Sequence, residues 1–290
     1  MTHERSDRTD TRERRIAVLS AFPAELAPLL ECAAVEDTVA VGDRMFRVGT
    51  LAGAPVVLGL TGIGLVNATH TTRAVLEQYD VSGIAVSGVA GTPRRIGDVD
   101  VPVAWMLEGA SERWPADPRW LALARELEAP GAVALERWTT VLSGGSEERV
   151  CVSHEPAVAV GGVGRSGDPF DGKALPCNPE GDEVSGCDVE GPGAATRPQV
   201  DPRKMKPIAP ASDAADATVD METAAIGREA AARGLPYIAF RAGSDGGGDP
   251  LGLPGFPAQF YAYYRLAAKN AALATVAFIE RLGRAREPDR

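Results

Sequence analysis

Histidine and cysteine are scarce in this chain, with three of one and four of the other among 290 residues. Cys32, Cys151, Cys177 and Cys187 show no CxxC spacing, and His3, His70 and His154 stand apart from them, so no zinc site is suggested. In a reducing compartment these cysteines stay free thiols, with one alternative left open: Cys177 and Cys187 share an irregular segment and can pair locally. Basic charge is also short. Thirty Lys and Arg against forty Asp and Glu give a formal net charge of −10, which argues against a general binder of nucleic-acid phosphates or of an anionic membrane. No apolar run reaches the roughly 18 residues needed to span a bilayer. The start, "MTHERSDRTDTRERR", lacks the apolar core of a secretory signal, so the expected location is the cytoplasm. Aromatic content is only 6%, yet 44% hydrophobic residues suffice for one large α/β domain or two smaller ones.

Order is expected to begin abruptly after a polar tail at residues 1–14. "RIAVLSAF" (15–22) reads as a strand ending at Pro23, and "AELAPLLECA" (24–33) as a helix. Two strands around a Gly53 turn (46–64), a helix over 65–79, and strands over 83–91 and 97–107 follow. A helix over 118–129 precedes strands at 148–153 and 157–164. Residues 171–217 are rich in proline and glycine and poor in large apolar side chains, which marks a long insertion. A helix over about 220–233 closed by Gly234, a strand over 235–242, a turn over 243–249 and a long helix over about 257–283 complete the domain, taken as 15–285. Strands alternating with helices predict an α/β three-layer sandwich, a mixed and mostly parallel sheet flanked by helices. Ligands of such sheets collect at the carboxyl ends of strands.

Those ends carry the candidate chemistry. "RAGSDGGGD" puts Ser244 and Asp245 directly after an apolar strand. Asp245 either caps the next turn or, walled by apolar groups, is a proton donor near neutral pH. Glu25 is either an ordinary helix-start acid or a general base that activates water. Glu222 of "VDMETAAIG" is open to the same choice: a first-turn acid, or a carboxylate accepting hydrogen bonds from ligand hydroxyls beside an adaptable Met221 wall. The glycine turns "TGIGLVNA" and "SGVAGT" are weak phosphate-cradle signals, neither a Walker motif nor a full dinucleotide fingerprint. His70 and His154 receive no role.

In order, "RIAVLSAFPAEL", "LTGIGLVNA", "SGVAGTPRRIGDVDVP", "GRSGDPF", "VDMETAAIG" and "FRAGSDGGGD" resemble the successive motifs of the nucleoside phosphorylase superfamily, in its methylthioadenosine/S-adenosylhomocysteine nucleosidase branch. The resemblance implies a purine nucleosidase that needs no metal or organic cofactor. It implies Glu222 as the ligand of the ribose hydroxyls, Met221 packed on the sugar, Asp245 as proton donor to the departing purine with Ser244 orienting it, and Glu25 as the acid that activates water. Phe170 corresponds to the aromatic that stacks on the purine, and the backbone of Val89, Ala90 and Gly91 borders ribose and base. Val89 and Phe22 depart from the residues usual at their positions, where Phe22 stands beside the ribose. Two alternatives stay open. One is a phosphorylase using Arg94 or Arg95, although Val86 and Ser87 occupy the strand end where phosphorylases carry an arginine. The other is a nucleoside-binding protein without turnover. The insertion either folds over the base or 5′ end of the ligand or is a surface excursion. The expected partners are a small purine nucleoside and further copies of the chain, as a homodimer or larger homo-oligomer.

Overall fold

Alternate residues of β1 (Arg15–Ser20) face opposite layers: Ile16 and Val18 join one apolar cluster, Ala17 and Leu19 the other, each at most 1% exposed. A strand buried on both sides belongs in the middle of a sheet, where parallel neighbours can be covered by helices. β1 accordingly lies between β4 (Ala54–Leu60) and β5 (Val81–Arg95), parallel to both, and β14 (Tyr237–Gly247) runs parallel to β5. The computed structural model describes residues 13–143, 146–206 and 217–286, so nearly all of the expected tail lies outside the described residues.

One helical layer holds α1 (Pro23–Leu30), α3 (Pro118–Arg125) and α5 (Ala258–Arg286), whose apolar residues join the cluster of Ile16 and Val18. The other holds α2 (Leu65–Gln78) and α4 (Thr223–Ala232), packed on the face of Ala17 and Leu19. The fold is therefore the three-layer α/β sandwich expected. Its sheet has 12 strands and is mixed, with parallel pairing at the centre. Antiparallel β2 (Ala33–Val41) and β3 (Arg44–Leu51) form one edge, reached through β4. Among the described residues no helix is long and apolar enough to cross a membrane.

Several element boundaries differ from the sequence expectation. β2 was not anticipated, because Glu36 and Asp37 interrupt its run of alanines and valines and most of the strand is exposed. The expected strand over 97–107 is split into β6 (Val99–Val101) and β7 (Ala104–Leu107), with Pro102 between them supplying no ladder N–H. The strand expected at 148–153 is half of a hairpin, β9 (Trp138–Ser143) with β10 (Ser146–Cys151), which stands apart from the main sheet. The one expected at 157–164 divides into β11 (Val158–Val160) and β12 (Val163–Ser166) at Gly162, whose φ of 70° breaks an extended chain. α3 ends early, passing into a 3-10 turn at Glu126–Glu128. β13 (Thr218–Asp220) precedes α4, and β8 (Arg113–Pro115) closes the far edge beside β7.

The largest correction concerns Asp245. Its segment is not a turn but a bulged extension of β14, still paired with β5 through Asp245 and Gly91. In the insertion, residues 171–206 are irregular apart from a 3-10 turn at Pro202–Lys204. Cys177 and Cys187 are joined in a disulfide, whereas Cys32 and Cys151 are free, so of the two sequence options local pairing is the one adopted. Residues 207–216 of the insertion lie outside the described residues.

Candidate active site

Arg241 interrupts the apolar run of β14 and is 1% exposed, a position that only carboxylate partners can make tolerable. Three surround it. Its Nη2 lies 2.7 Å from Asp220 Oδ2 and 3.2 Å from Glu222 Oε2, its Nη1 lies 3.5 Å from Glu25 Oε1, and its Nε donates to Thr223 Oγ1 at 3.0 Å. These residues come from α1, the β13–α4 junction and β14, which the parallel sheet delivers to the same end. Sequence reasoning assigned Arg241 and Asp220 no role. The available signal was an arginine inside an apolar strand, which demands a buried counter-charge.

The first turn of α1 aims Glu25 inward because Phe22 is extended (φ −142°) and Pro23 starts the helix. Its carboxylate does not serve the free amides of its own helix. Oε2 accepts from the Ala21 amide at 2.6 Å and Oε1 from the Val89 amide at 2.7 Å. Such an approach requires Gly88, since a Cβ there would lie 2.3 Å from Arg241 Nη1 and 2.4 Å from Glu25 Oε1. Burial pushes the Glu25 carboxyl up, and Arg241 with the backbone amides pulls it partly back.

Glu222 likewise does not serve its own helix. Asp220, not Glu222, caps α4, accepting the Thr223 amide at 3.2 Å while bonding the Ser166 and Thr223 hydroxyls. Glu222 is the N-cap residue but makes no side-chain cap, and its Oε1 reaches across to the Gly64 amide at 2.8 Å. Burial, with Asp220 and Glu25 nearby, outweighs Arg241 and pushes its carboxyl up to about 8. Physically, one guanidinium cannot neutralise three buried carboxylates, so one of them holds a proton near neutrality.

Asp245 adjoins this cluster through consecutive residues of β5. Val89 contacts Glu25, and a Cβ on Gly91 would stand 2.9 Å from Asp245 Oδ2. The Ser244 hydroxyl lies 2.9 Å from Asp245 Oδ1 and 3.3 Å from the Ala90 carbonyl. Burial raises the Asp245 carboxyl, partly offset by that hydroxyl, and no cation is among its causes. Among the described residues Asp245 pairs with no cation, in contrast to Glu25, Asp220 and Glu222.

Apolar walls complete the arrangement. Phe22 and Val89 are buried, and Phe22 meets Phe260 edge-on with centroids 6.1 Å apart. Met221 is half-buried beside Glu222. The Phe170 ring lies over Gly64, where a Cβ would approach it to 2.9 Å. Thus Glu25 and Glu222 meet through Arg241; Glu25 reaches Val89; Ala90 and Gly91 adjoin Ser244 and Asp245; and Phe170 joins Glu222 through Gly64. Two cavities, of about 310 and 360 Å³, lie elsewhere. One is beside Trp138 and Arg149, the other between Arg44, His70 and Leu175, and neither is lined by the acids; chemistry rather than void volume locates this site. Arg94 and Arg95 are held by Asp100 and Asp98, and His154 is 3.8 Å from Asp98 with burial lowering its pKa. Among the described residues no group of three or more His, Cys, Asp or Glu is placed to hold a metal ion.

Comparison with known proteins agrees with this architecture. A Neisseria meningitidis 5′-methylthioadenosine/S-adenosylhomocysteine nucleosidase, solved with methylthio-immucillin-A, superposes with a TM-score of 0.61 at 20% identity, over 92% of this chain and 99% of that one. The futalosine hydrolase of Helicobacter pylori gives 0.60 at 17% identity, covering 92% and 97%. In sequence, an uncharacterised protein of Mycobacterium tuberculosis is 35% identical over 192 residues, 59% of this chain and 75% of the relative. A 5′-methylthioadenosine/S-adenosylhomocysteine nucleosidase of Anoxybacillus flavithermus is 40% identical over 76 residues, 26% of this chain and 33% of that protein. A model of the phosphorylase superfamily matches residues 15–280, and with the sheet and its strand-end acids in place the chain belongs to that superfamily.

Proposed function

We propose that this chain is a purine nucleosidase, hydrolysing the N-glycosidic bond of a 5′-modified purine nucleoside of the methylthioadenosine, S-adenosylhomocysteine or futalosine kind. The observation that carries the proposal is the division of acids across β5: Glu25 and Glu222 held by one buried arginine, and Asp245 held by none. In this scheme protonated Asp245, oriented by Ser244, gives its proton to the purine as the C–N bond breaks. Glu222 accepts the ribose hydroxyls, and the negative cluster favours the cationic sugar that develops. Glu25 takes a proton from the water that forms the new C–O bond. Its Oε1 already accepts both the Val89 amide and Arg241 Nη1, so the proton is taken at Oε2, which accepts the Ala21 amide. The products are free base and free sugar.

Hydrolysis is favoured over phosphorolysis by the charge around Arg241. A phosphate dianion needs unengaged donors, whereas this guanidinium is shared by three carboxylates and Arg94 and Arg95 are paired to aspartates. Similarity to an aminodeoxyfutalosine nucleosidase and to a 5′-methylthioadenosine/S-adenosylhomocysteine nucleosidase supports the same class. Self-assembly, through surfaces that include exposed Val35 or Trp138, is part of the proposal and is tested by light scattering. The decisive experiment is chromatographic detection of base from methylthioadenosine, S-adenosylhomocysteine, adenosine, inosine and futalosine, with and without phosphate. Base with free sugar in the absence of phosphate is expected. Turnover only with phosphate would move the reaction to phosphorolysis, and binding without cleavage would make the chain a nucleoside-binding protein.

A further inference from the structure

The described part of the insertion is tied to both elements that build the Phe22 side of the site. Its Glu183 carbonyl accepts the Ala24 amide at 2.8 Å, one residue from Glu25. The Glu183 carboxylate bonds the Tyr264 hydroxyl and lies 2.6 Å from Arg265 Nη2, both on α5. Tyr264 stacks on Phe260 with centroids 5.5 Å apart, and Phe260 abuts Phe22. Val184, 8% exposed, enters the main core, and Asp188 pairs with buried Arg47 of β3. Upstream, the Leu175 carbonyl accepts from Asn67 Nδ2 at 2.9 Å, in the first turn of α2 beyond Gly64. Residues 175–188 thus form a strap fastened to α1, α2, α5 and β3, and the disulfide between Cys177 and Cys187 closes it on itself.

This irregular strap has no regular ladder, so its docking depends on those few anchors and on how little freedom it has when undocked. A cross-link across a short loop removes that freedom, and cutting it returns the freedom to the undocked state. Cys177 and Cys187 are both partly exposed, next to exposed Asn178 and Ser185, which leaves them open to a soluble thiol.

We propose that the Cys177–Cys187 disulfide is a redox latch: closed, it holds the strap against α1 and α5 and fixes the Phe22–Phe260 wall; open, it lets that wall loosen, so that nucleoside capture weakens while the acids stay in place. The reductant is a dithiol. One thiolate attacks a cysteine sulfur, breaks the S–S bond and forms a mixed disulfide; its second thiolate resolves this, leaving two protein thiols and an oxidised dithiol, a two-electron exchange. Glu25, Glu222, Asp245 and Arg241 all lie outside the strap, so the effect falls on binding rather than chemistry. The proposal that capture of a nucleoside is what changes rests on the nucleosidase function above.

The test uses the full chain in a Cys32→Ser/Cys151→Ser background, compared oxidised, dithiothreitol-reduced, and with Cys177→Ser/Cys187→Ser. Hydrogen exchange is followed at residues 183–188 and 22–24, where the Ala24 amide meets the strap, together with KM and kcat for methylthioadenosine and the calorimetric Kd of adenine. Faster exchange at both segments is expected, with KM rising roughly tenfold, kcat within about twofold, and oxidation restoring the starting values. Unchanged exchange overturns the latch, as does faster exchange with KM and adenine Kd both unchanged, or a loss confined to kcat. If no nucleoside is cleaved in either state the nucleosidase proposal fails, and exchange with adenine Kd still decides the latch. Glu183→Ala, which removes the α5 anchor with the disulfide intact, should reproduce the rise in KM.

Discussion

The acid cluster and the strap both press on α1, yet they are held in opposite ways. Glu25, Asp220, Glu222 and Arg241 are at most 7% exposed, sit on strand ends or helix starts, and satisfy one another and the backbone. The strap has no strand or helix of its own between residues 175 and 188, and is secured by a few backbone and side-chain anchors along its length and a covalent bond. The difference teaches where rigidity is needed. Charge held inside a protein must be fixed by regular elements, because a misplaced carboxylate loses its partner and keeps its desolvation cost. A covering segment tolerates irregular backbone and a removable fastening.

The sharpest way to break this contrast is to remove the cation. Arg241→Met leaves three buried carboxylates without a counter-charge and is expected to cost roughly 3–5 kcal/mol, read as a lower midpoint in urea denaturation. A midpoint equal to that of the unaltered protein would show that the carboxylates neutralise themselves by protonation alone. Asp245→Asn, outside the cation's reach, should instead fold normally and lower base release roughly 10³-fold, within the usual range for a general acid. Unchanged turnover would take the acid role away from Asp245.

The pH dependence of stability separates the regions further. Glu222 is raised from 4.5 to about 8 in the folded protein, so between those values the folded chain holds more proton than the unfolded one. Stability is thus greatest at the acidic end of this window and falls as pH rises through it, with a slope approaching about 1.4 kcal/mol per pH unit. Glu222→Gln should remove this part of the slope in thermal melts, and an unaltered slope would place the shared proton on another acid. The smallest effect is expected of Arg94→Ala and Arg95→Ala, which lie half-exposed against Asp100 and Asp98. Turnover should stay within about twofold of the parent and show no phosphate dependence, because both arginines pair with buried Asp100 and Asp98 and not with the acid cluster.

Much of the fold was legible because β1, β4, β5 and β14 are apolar runs punctuated by proline and glycine, and burial on both faces leaves a parallel central sheet as the natural arrangement. Elements with weaker signals were missed or merged: exposed β2, the hairpin of β9 and β10, and the short strands split at Pro102 and Gly162. In the site, Glu25, Ser244 and Asp245 were marked by their places after strands, and Glu222 by its place at a helix start. Arg241 was legible only as a charge inside an apolar strand, because its partners are this chain's own acids on distant segments.

The sequence by itself determined the alternation of strands and helices, the net acidity and the order of the motifs, since these depend on local pattern and composition. Only the tertiary structure decided that Glu222 reaches Gly64 instead of capping its helix, that one buried arginine ties three acids together, and that Cys177 pairs with Cys187. Those outcomes depend on distances between segments as much as 216 residues apart, and such distances are set by how strands register in the sheet.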